Sequence, residues 1–269
     1  MKIATRPVLV LHGNPELRSR IRNAAAGTYT VHRFPDWDAL AEALPDTPPS
    51  ALVVVDPYAD ASRPDRSSPE LHALLDRFPS VPVLAALDVT PERTEDLVRL
   101  AEAGLADVIV MGHDDTRDAL LARLRSAHGR TLKALLDRAL PQEAGARAKA
   151  VLDNAAEVVT AGGVARDLAR TLGVSRRTLV RWVEQAQLPP PRRLLAWMRI
   201  LLAAELLDDP GRTVIGVARA CGYSSDPGLR RVLTRFVGAS PTKLRRRGAF
   251  AAAAAAFAAD LERRRSGEG

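Results

Sequence analysis

Two stretches decide the fold: GGVARDLARTLGVSRRTLVRWV at 162–183 and VIGVARACGYSSDPGLRRVLTRFV at 214–237. In the first, a short helix after Gly162-Gly163 breaks at Gly173, and a second helix starts with Ser175 as N-cap. Val164, Leu168, Leu172, Val174, Leu179 and Val183 take the interior positions, which leaves Arg176, Arg177, Val180 and Arg181 facing outward together. The second stretch repeats helix, glycine turn, helix: Gly222 marks the turn and Gly238 and Pro241 the end. A long helix over Arg192 to Leu207 joins the two.

Residues 150–247 show no strand-like alternation, so this half is expected to be all-α. Across residues 8–126, short apolar runs alternate with helical patterns, as in a parallel sheet covered on both faces. Val8 to Leu11, Thr28 to Phe34, Ala51 to Asp56, Val81 to Ala86 and Asp107 to Met111 are the predicted strands. Helices are predicted over Glu16 to Ala26, Trp37 to Leu44, Ser68 to Phe78, Pro91 to Ala103 (N-capped by Thr90) and Thr116 to Arg125. The fold expectation is α/β plus all-α: a flavodoxin-like doubly wound domain, then a helical domain with two helix-turn-helix units.

The two halves also differ in charge. Residues 1–128 hold 14 Lys and Arg against 19 Asp and Glu, a net −5; residues 129–269 hold 25 against 13, a net +12. Coding bias explains why 35 of the 39 basic residues are arginine, but not why they are segregated. An acidic half joined to a strongly basic one reads as a control or assembly module attached to a module that binds a polyanion. At 269 residues and 46% hydrophobic, the chain can bury a core in each half. Its single cysteine, Cys221, excludes an internal disulfide and a cysteine-based zinc site, and is expected to pack as a small hydrophobe. Aromatics are only 4%, which argues against single-strand binding on stacking platforms. The charge-free run Ala249 to Ala259 is about half the roughly 20 residues a bilayer crossing needs. With no signal-peptide pattern at Met1, a cytoplasmic protein without membrane association is expected.

The run Val8-Leu-Val-Leu-His-Gly-Asn-Pro-Glu-Leu-Arg18 and the strand Leu52-Val-Val-Val-Asp56-Pro57 resemble the first strand and the phosphoacceptor strand of a response-regulator receiver domain, over roughly residues 6–126. The resemblance makes Asp56 the matching phosphoacceptor. It also exposes what is missing: the acidic pair falls on His12 and Gly13, the switch hydroxyl on Leu87, the lysine on Gly112 and the switch aromatic on Ile109. Phosphoryl transfer to a carboxylate needs a hard cation with oxygen ligands. The favoured expectation is therefore a degenerate receiver, kept as a scaffold for dimerisation or partner contact. A third reading makes His12, Asp56, Asp88 and His113 nitrogen and oxygen ligands for a transition metal, although such histidines are more often exposed loop residues. No cofactor is expected.

In the basic half, Ile215, Ala218, Gly222, Tyr223, Phe236 or Val237, and Gly238 through Pro241 to Arg245 resemble the second helix-turn-helix unit of the AraC/XylS family of transcription regulators. The resemblance spans about 100 residues. It implies that each recognition helix enters one of two successive major-groove segments, with Arg192 to Leu207 fixing their separation. The positions matching family base contacts are Arg177, Val180 and Arg181 in the first unit and Asp226, Pro227 and Gly228 in the second. Arginine bonds guanine O6 and N7, and valine touches a thymine methyl, whereas Pro and Gly bring no donor to a base edge. Ser175, Arg176, Ser225, Arg230, Arg231 and Arg235 complete the expected DNA-binding set, the arginines of the second unit serving phosphates.

The expected organisation is a receiver-like domain at 1–126, a helical linker at 127–146, the double helix-turn-helix domain at 147–248 and an alanine-rich extension at 249–269. In the linker, Leu132, Leu135, Leu136 and Leu140 form a short stripe that either pairs with a second copy or, more commonly, packs on the receiver-like domain. The extension either docks on the helical domain or touches DNA. Double-stranded DNA is the expected partner, with RNA polymerase and a second copy of the chain as further ones. The first rival is the same architecture operated as a response regulator phosphorylated on Asp56, and a nucleoid-type coating protein is the rival of another class. No nucleophile, base and orienting group recur together, so an enzyme reading has no support.

Overall fold

The computed structural model describes residues 6–59, 66–139 and 145–266. Among these the chain divides into two compact units, one of residues 6–131 with Asp209–Arg212 and one of 132–208 with 213–266.

The first unit holds five parallel strands in the order β2-β1-β3-β4-β5, a doubly wound, flavodoxin-like topology. They are β1 (Arg6–Leu11), β2 (Tyr29–Arg33), β3 (Leu52–Val55), β4 (Val83–Leu87) and β5 (Asp107–Val110). All five predicted strands form, because runs such as Leu52–Val55, buried at every position, suit a sheet covered on both sides. One face is filled by Leu17 and Ile21 of α1 (Pro15–Ala25) and by Leu120 and Leu124 of α5 (Arg117–Ala139). The other is filled from α2 (Trp37–Ala43), α3 (Pro69–Arg77) and α4 (Thr94–Glu102), with Phe78 and Leu100 at its centre. Thr90 and Pro91 open a 3-10 turn at Pro91–Arg93, and α4 begins only at Thr94. The tetrapeptide Asp209–Arg212 completes this unit: Arg212 is fully buried, pairs with Asp209 at 2.9 Å and donates to the carbonyls of Pro45 and Thr47.

The second unit is helical: α6 (Ala146–Thr160), α7 (Ala165–Thr171), α8 (Arg176–Gln185), α9 (Pro191–Asp208), α10 (Val214–Ala220), α11 (Asp226–Val237), α12 (Pro241–Arg245) and α13 (Ala249–Arg265). Helix α9 is the pillar. Leu194, Leu195, Trp197, Met198, Ile200, Leu201 and others bury on all its sides, the pattern of a helix with neighbours all round.

Three expectations change here. Helix α5 continues from Arg117 to Ala139, so the supposed boundary between residues 126 and 127 falls inside a helix. Its Leu132, Leu135 and Leu136 belong to the core of the helical unit and not to that of the receiver-like unit; Leu140 lies outside the described residues. Val164 is not interior: it is 49% exposed, and Ile215, at a motif position of the second unit, is 48% exposed. Both stand where the chain enters a short helix, Val164 as N-cap of α7 and Ile215 in the first turn of α10. Cys221 caps α10 and packs half-buried against the core.

Candidate nucleic-acid interface

Helix α8 starts because Ser175 Oγ accepts the backbone N–H of Thr178 at 3.0 Å. Leu179 and Val183 anchor it in the core. That fixes the opposite face: Arg176, Arg177 and Arg181 are exposed, and Val180 keeps 41% of its surface in water. Arg177, Val180 and Arg181 stand three and four residues apart on one face. Among the described residues no carboxylate holds Arg176, Arg177 or Arg181, which leaves their guanidinium forks available to a ligand. The helix ends on an αL residue that is not glycine: Gln187 has φ of 53°, and Leu188 N–H reaches back to the Val183 carbonyl at 2.8 Å.

Helix α11 has the same frame and a different face. Leu229 and Leu233 are fully buried, and Gly238 closes the helix with φ of 76°. Ser225 is the N-cap, but its side chain makes no capping bond. Pro227 and Gly228 occupy the first turn, and Asp226 turns back on its own helix to accept from Arg230 Nε at 2.7 Å. Arg230 is thus partly neutralised, while Arg231 and Arg235 stay exposed. Among the described residues, Arg176, Arg177 and Arg181 of α8 and Arg231 and Arg235 of α11 are exposed and have no carboxylate partner.

The helices are held in one frame by α9 and α13. Arg199 on α9 donates to the Gly163 carbonyl at 2.7 Å, securing the turn before α7. At the far end of α9, both carboxylate oxygens of Asp208 accept the backbone N–H groups of Ala249 and Phe250, at 2.6 and 2.9 Å, and so cap α13. Near the start of α9, Arg193 grips the Asp260 carboxylate with two bonds, 3.1 and 2.7 Å, and buried Trp197 adds its indole N–H at 2.8 Å. Burial pushes the Asp260 carboxyl up, but the bonds from Arg193 and Trp197 outweigh it and hold the group below its ordinary value. Ala249, Phe250, Ala253, Phe257 and Leu261 bury against this frame, so the alanine-rich extension docks on the helical unit.

In the receiver-like unit, the place where an acidic pair would stand is built for a neutral ring. His12 is 7% exposed; its Nε2 lies 3.0 Å from the Ala86 carbonyl, and its Nδ1 accepts the Asn14 N–H at 3.1 Å. These partners assign the ring proton to Nε2. Arg18 donates to the carbonyls of His12 and Gly13, both at 2.7 Å, and Asn14 Oδ1 caps α1. Asp56 follows β3, half-buried, and accepts the Tyr58 N–H at 3.0 Å. Leu87 is 3% exposed and Ile109 fully buried. Gly112 has φ of 81°, a backbone conformation in which a lysine would be strained. Both nitrogens of His12 are engaged, while Asp88 and His113 are exposed. Among the described residues no three metal-ligating side chains converge, so the set proposed as a metal site is not brought together.

A protein-family model described as a helix-turn-helix domain matches residues 168–247, from inside α7 to just past α12. No curated protein matches the chain. Three solved structures are similar. Full-length FixJ from B. japonicum shares 21% identity at a TM-score of 0.40, covering 74% of this chain and 96% of that one. The two-component response regulator RcsB in complex with DNA shares 18% at 0.35, covering 71% and 96%. The response regulator StyR shares 16% at 0.30, covering 71% and 97%. Among the described residues no helix is long and apolar enough to cross a membrane.

Proposed function

We propose that this chain is a sequence-specific, double-stranded-DNA-binding transcription regulator of AraC/XylS type, in which α8 supplies most of the base readout. The observation that carries the reading is the contrast between the two recognition helices. Arg177, Val180 and Arg181 stand exposed and unpaired on α8, whereas the matching positions of α11 are Asp226, bonded to Arg230, followed by Pro227 and Gly228. An arginine in the major groove makes two bonds to guanine, and each such pair discriminates by about 1–3 kcal/mol. Arg231 and Arg235 then serve phosphates, which position the protein without reading sequence. Ser175, Arg176 and Ser225 lie at the same two helix starts and belong to the proposed interface.

The receiver-like unit acts in this proposal as a scaffold or contact module without phosphorylation of Asp56. The support is chemical: at the positions that match the receiver's acidic pair stand His12, turned to Ala86, and Gly13, and a glycine stands in place of the lysine. RNA polymerase and a second copy of the chain are its proposed partners. Two bound copies would gain affinity through effective concentration.

Selection of binders from random duplexes with the full chain tests the reading. A regulator enriches one motif with two adjoining segments about one helical turn apart, and stronger information under α8 than under α11. Retention of duplexes with no enriched motif means a DNA-coating protein and overturns the proposal.

A further inference from the structure

Helix α13 lies outside the matched helix-turn-helix segment, which ends at residue 247. Its direction follows from its two anchors. Asp208, the last residue of α9, caps the start of α13, while Asp260 near the end of α13 is held by Arg193 and Trp197 from the first turns of α9. The two helices are therefore antiparallel. With 18 and 17 residues they run about 27 and 26 Å, so they are nearly equal in length. Helix α13 starts beside the second helix-turn-helix and returns along the whole of α9 to the first. Since α9 begins only a few residues after α8 ends, the last turn of α13 arrives beside the recognition helix.

The structure bears this out at one place. A cleft of about 340 Å³ is lined by Val180, Val183 and Glu184 of α8, by Leu188, and by Arg264 of α13. Arg264 is flanked by Arg263 and Arg265, both exposed. Among the described residues Arg263 and Arg264 approach the carboxylate of Asp260, and Arg193 and Trp197 already occupy both its oxygens; exposed Glu184 lines the same cleft. Arg263 and Arg264 reach it only at 3.7 and 3.9 Å, and Arg264 Nε is buried without a hydrogen-bond partner. Three guanidinium groups, those of Arg193, Arg263 and Arg264, thus surround one carboxylate, leaving positive charge at the end of α13 next to Val180, a residue of the proposed base-reading face.

We infer that the Arg263–Arg264–Arg265 end of α13 is a third DNA contact, binding backbone phosphates that flank the segment read by α8. It rests on the DNA-binding reading above and adds a surface that the double helix-turn-helix does not contain. The ligand is phosphate, because exposed guanidinium groups at a helix end reach out as charges and present no ordered set of donors to a base edge.

The test uses the full chain and a duplex carrying the selected motif, with affinity measured by fluorescence anisotropy over a range of salt concentrations. The variants are Arg263→Gln/Arg265→Gln, Arg265→Gln alone, and Arg263→Lys/Arg265→Lys; thermal melting checks each for folding. Each phosphate contact contributes about 0.9 to the slope of log K against log salt. The double Gln variant is expected to lose about 2 from that slope and Arg265→Gln about 1, with the preference for the motif over a scrambled duplex unchanged. The Lys variant should restore the slope. Ethylation interference should place the lost contacts on phosphates beside the α8 segment. An unchanged slope in a folded Gln variant, or lost contacts beside the α11 segment, overturns the inference and leaves the regulator reading standing. If the unmutated chain binds no duplex, both readings fall together.

Discussion

The imidazole of His12 is joined to the main chain of Ala86: Nε2 of the ring, at the end of β1, stands 3.0 Å from the carbonyl oxygen of Ala86 in β4. This bond crosses β3, whose following residue is Asp56, and its ring needs the Asn14 N–H on the other nitrogen. His12 is thus a structural tie between strands.

Truncating that tie exposes its value. His12→Ala leaves the Ala86 carbonyl and the Asn14 N–H without partners in a nearly buried site, and is expected to destabilise the first unit by about 1–3 kcal/mol. Denaturant unfolding, with hydrogen exchange at the Asn14 amide as a local readout, measures it.

Asp56 should be inert as a phosphoacceptor. Acetyl phosphate with Mg²⁺ is expected to produce no phosphorylated species on a phosphate-affinity gel, and Asp56→Asn to leave DNA affinity unchanged. A shifted band that disappears in Asp56→Asn would restore the phosphorylation reading.

On α8, Arg177→Ala and Arg181→Ala should each weaken binding to the selected motif by about 1–3 kcal/mol and flatten the preference at one base position. Arg231→Ala should weaken binding by a similar factor on every duplex and lower the salt slope by about 1. Competition binding with point-substituted duplexes separates the two behaviours.

Much of this was legible in the chain. The five apolar runs are strands because each is too short for a helix and sits between helical patterns, and Leu52–Val55 is as buried as an unbroken Val and Leu run predicts. The outward face of α8 followed from spacing alone. Val164 was misjudged because, at the mouth of a short helix, the side chain's direction depends on how the chain enters and not on a 3.6-residue period. The docking of α13 was illegible for another reason: Trp197 and Asp260 are 63 residues apart, and no local pattern joins them. Nor did Leu132, Leu135 and Leu136 declare which core they would enter.

Asp260 gives the helical unit an acid limit. Its folded-state value lies below the ordinary 3.8, so its contribution is present above about pH 4 and disappears as the pH falls through the lower folded value. Asp260→Asn should lower the melting temperature at neutral pH, by about 2–3 kcal/mol of stability. Its deficit against the unmutated chain should shrink on acidification below that point. A deficit that stays constant down to the acid transition would show that the charge on Asp260 contributes nothing.

The two helix-turn-helix units also differ at their recognition-helix ends, where Gln187 and Gly238 both hold positive φ. A non-glycine residue there is strained by about 1 kcal/mol, partly offset because glycine loses more freedom on folding. Gln187→Gly should therefore raise the melting temperature slightly, and Gly238→Gln should lower it; calorimetry on both variants decides.

Helices α9 and α13, clamped at one end through Asp208 and at the other through Asp260, make a doubled beam between the two helix-turn-helix units. A beam of fixed span works as a calliper. An operator with one base pair inserted between its halves moves the far half by about 3.4 Å and turns it by about a tenth of a revolution. The protein cannot stretch to follow, so the DNA must twist or one unit must let go. For the proposed regulator, the spacing of the two half-sites then discriminates as strictly as the bases under α8.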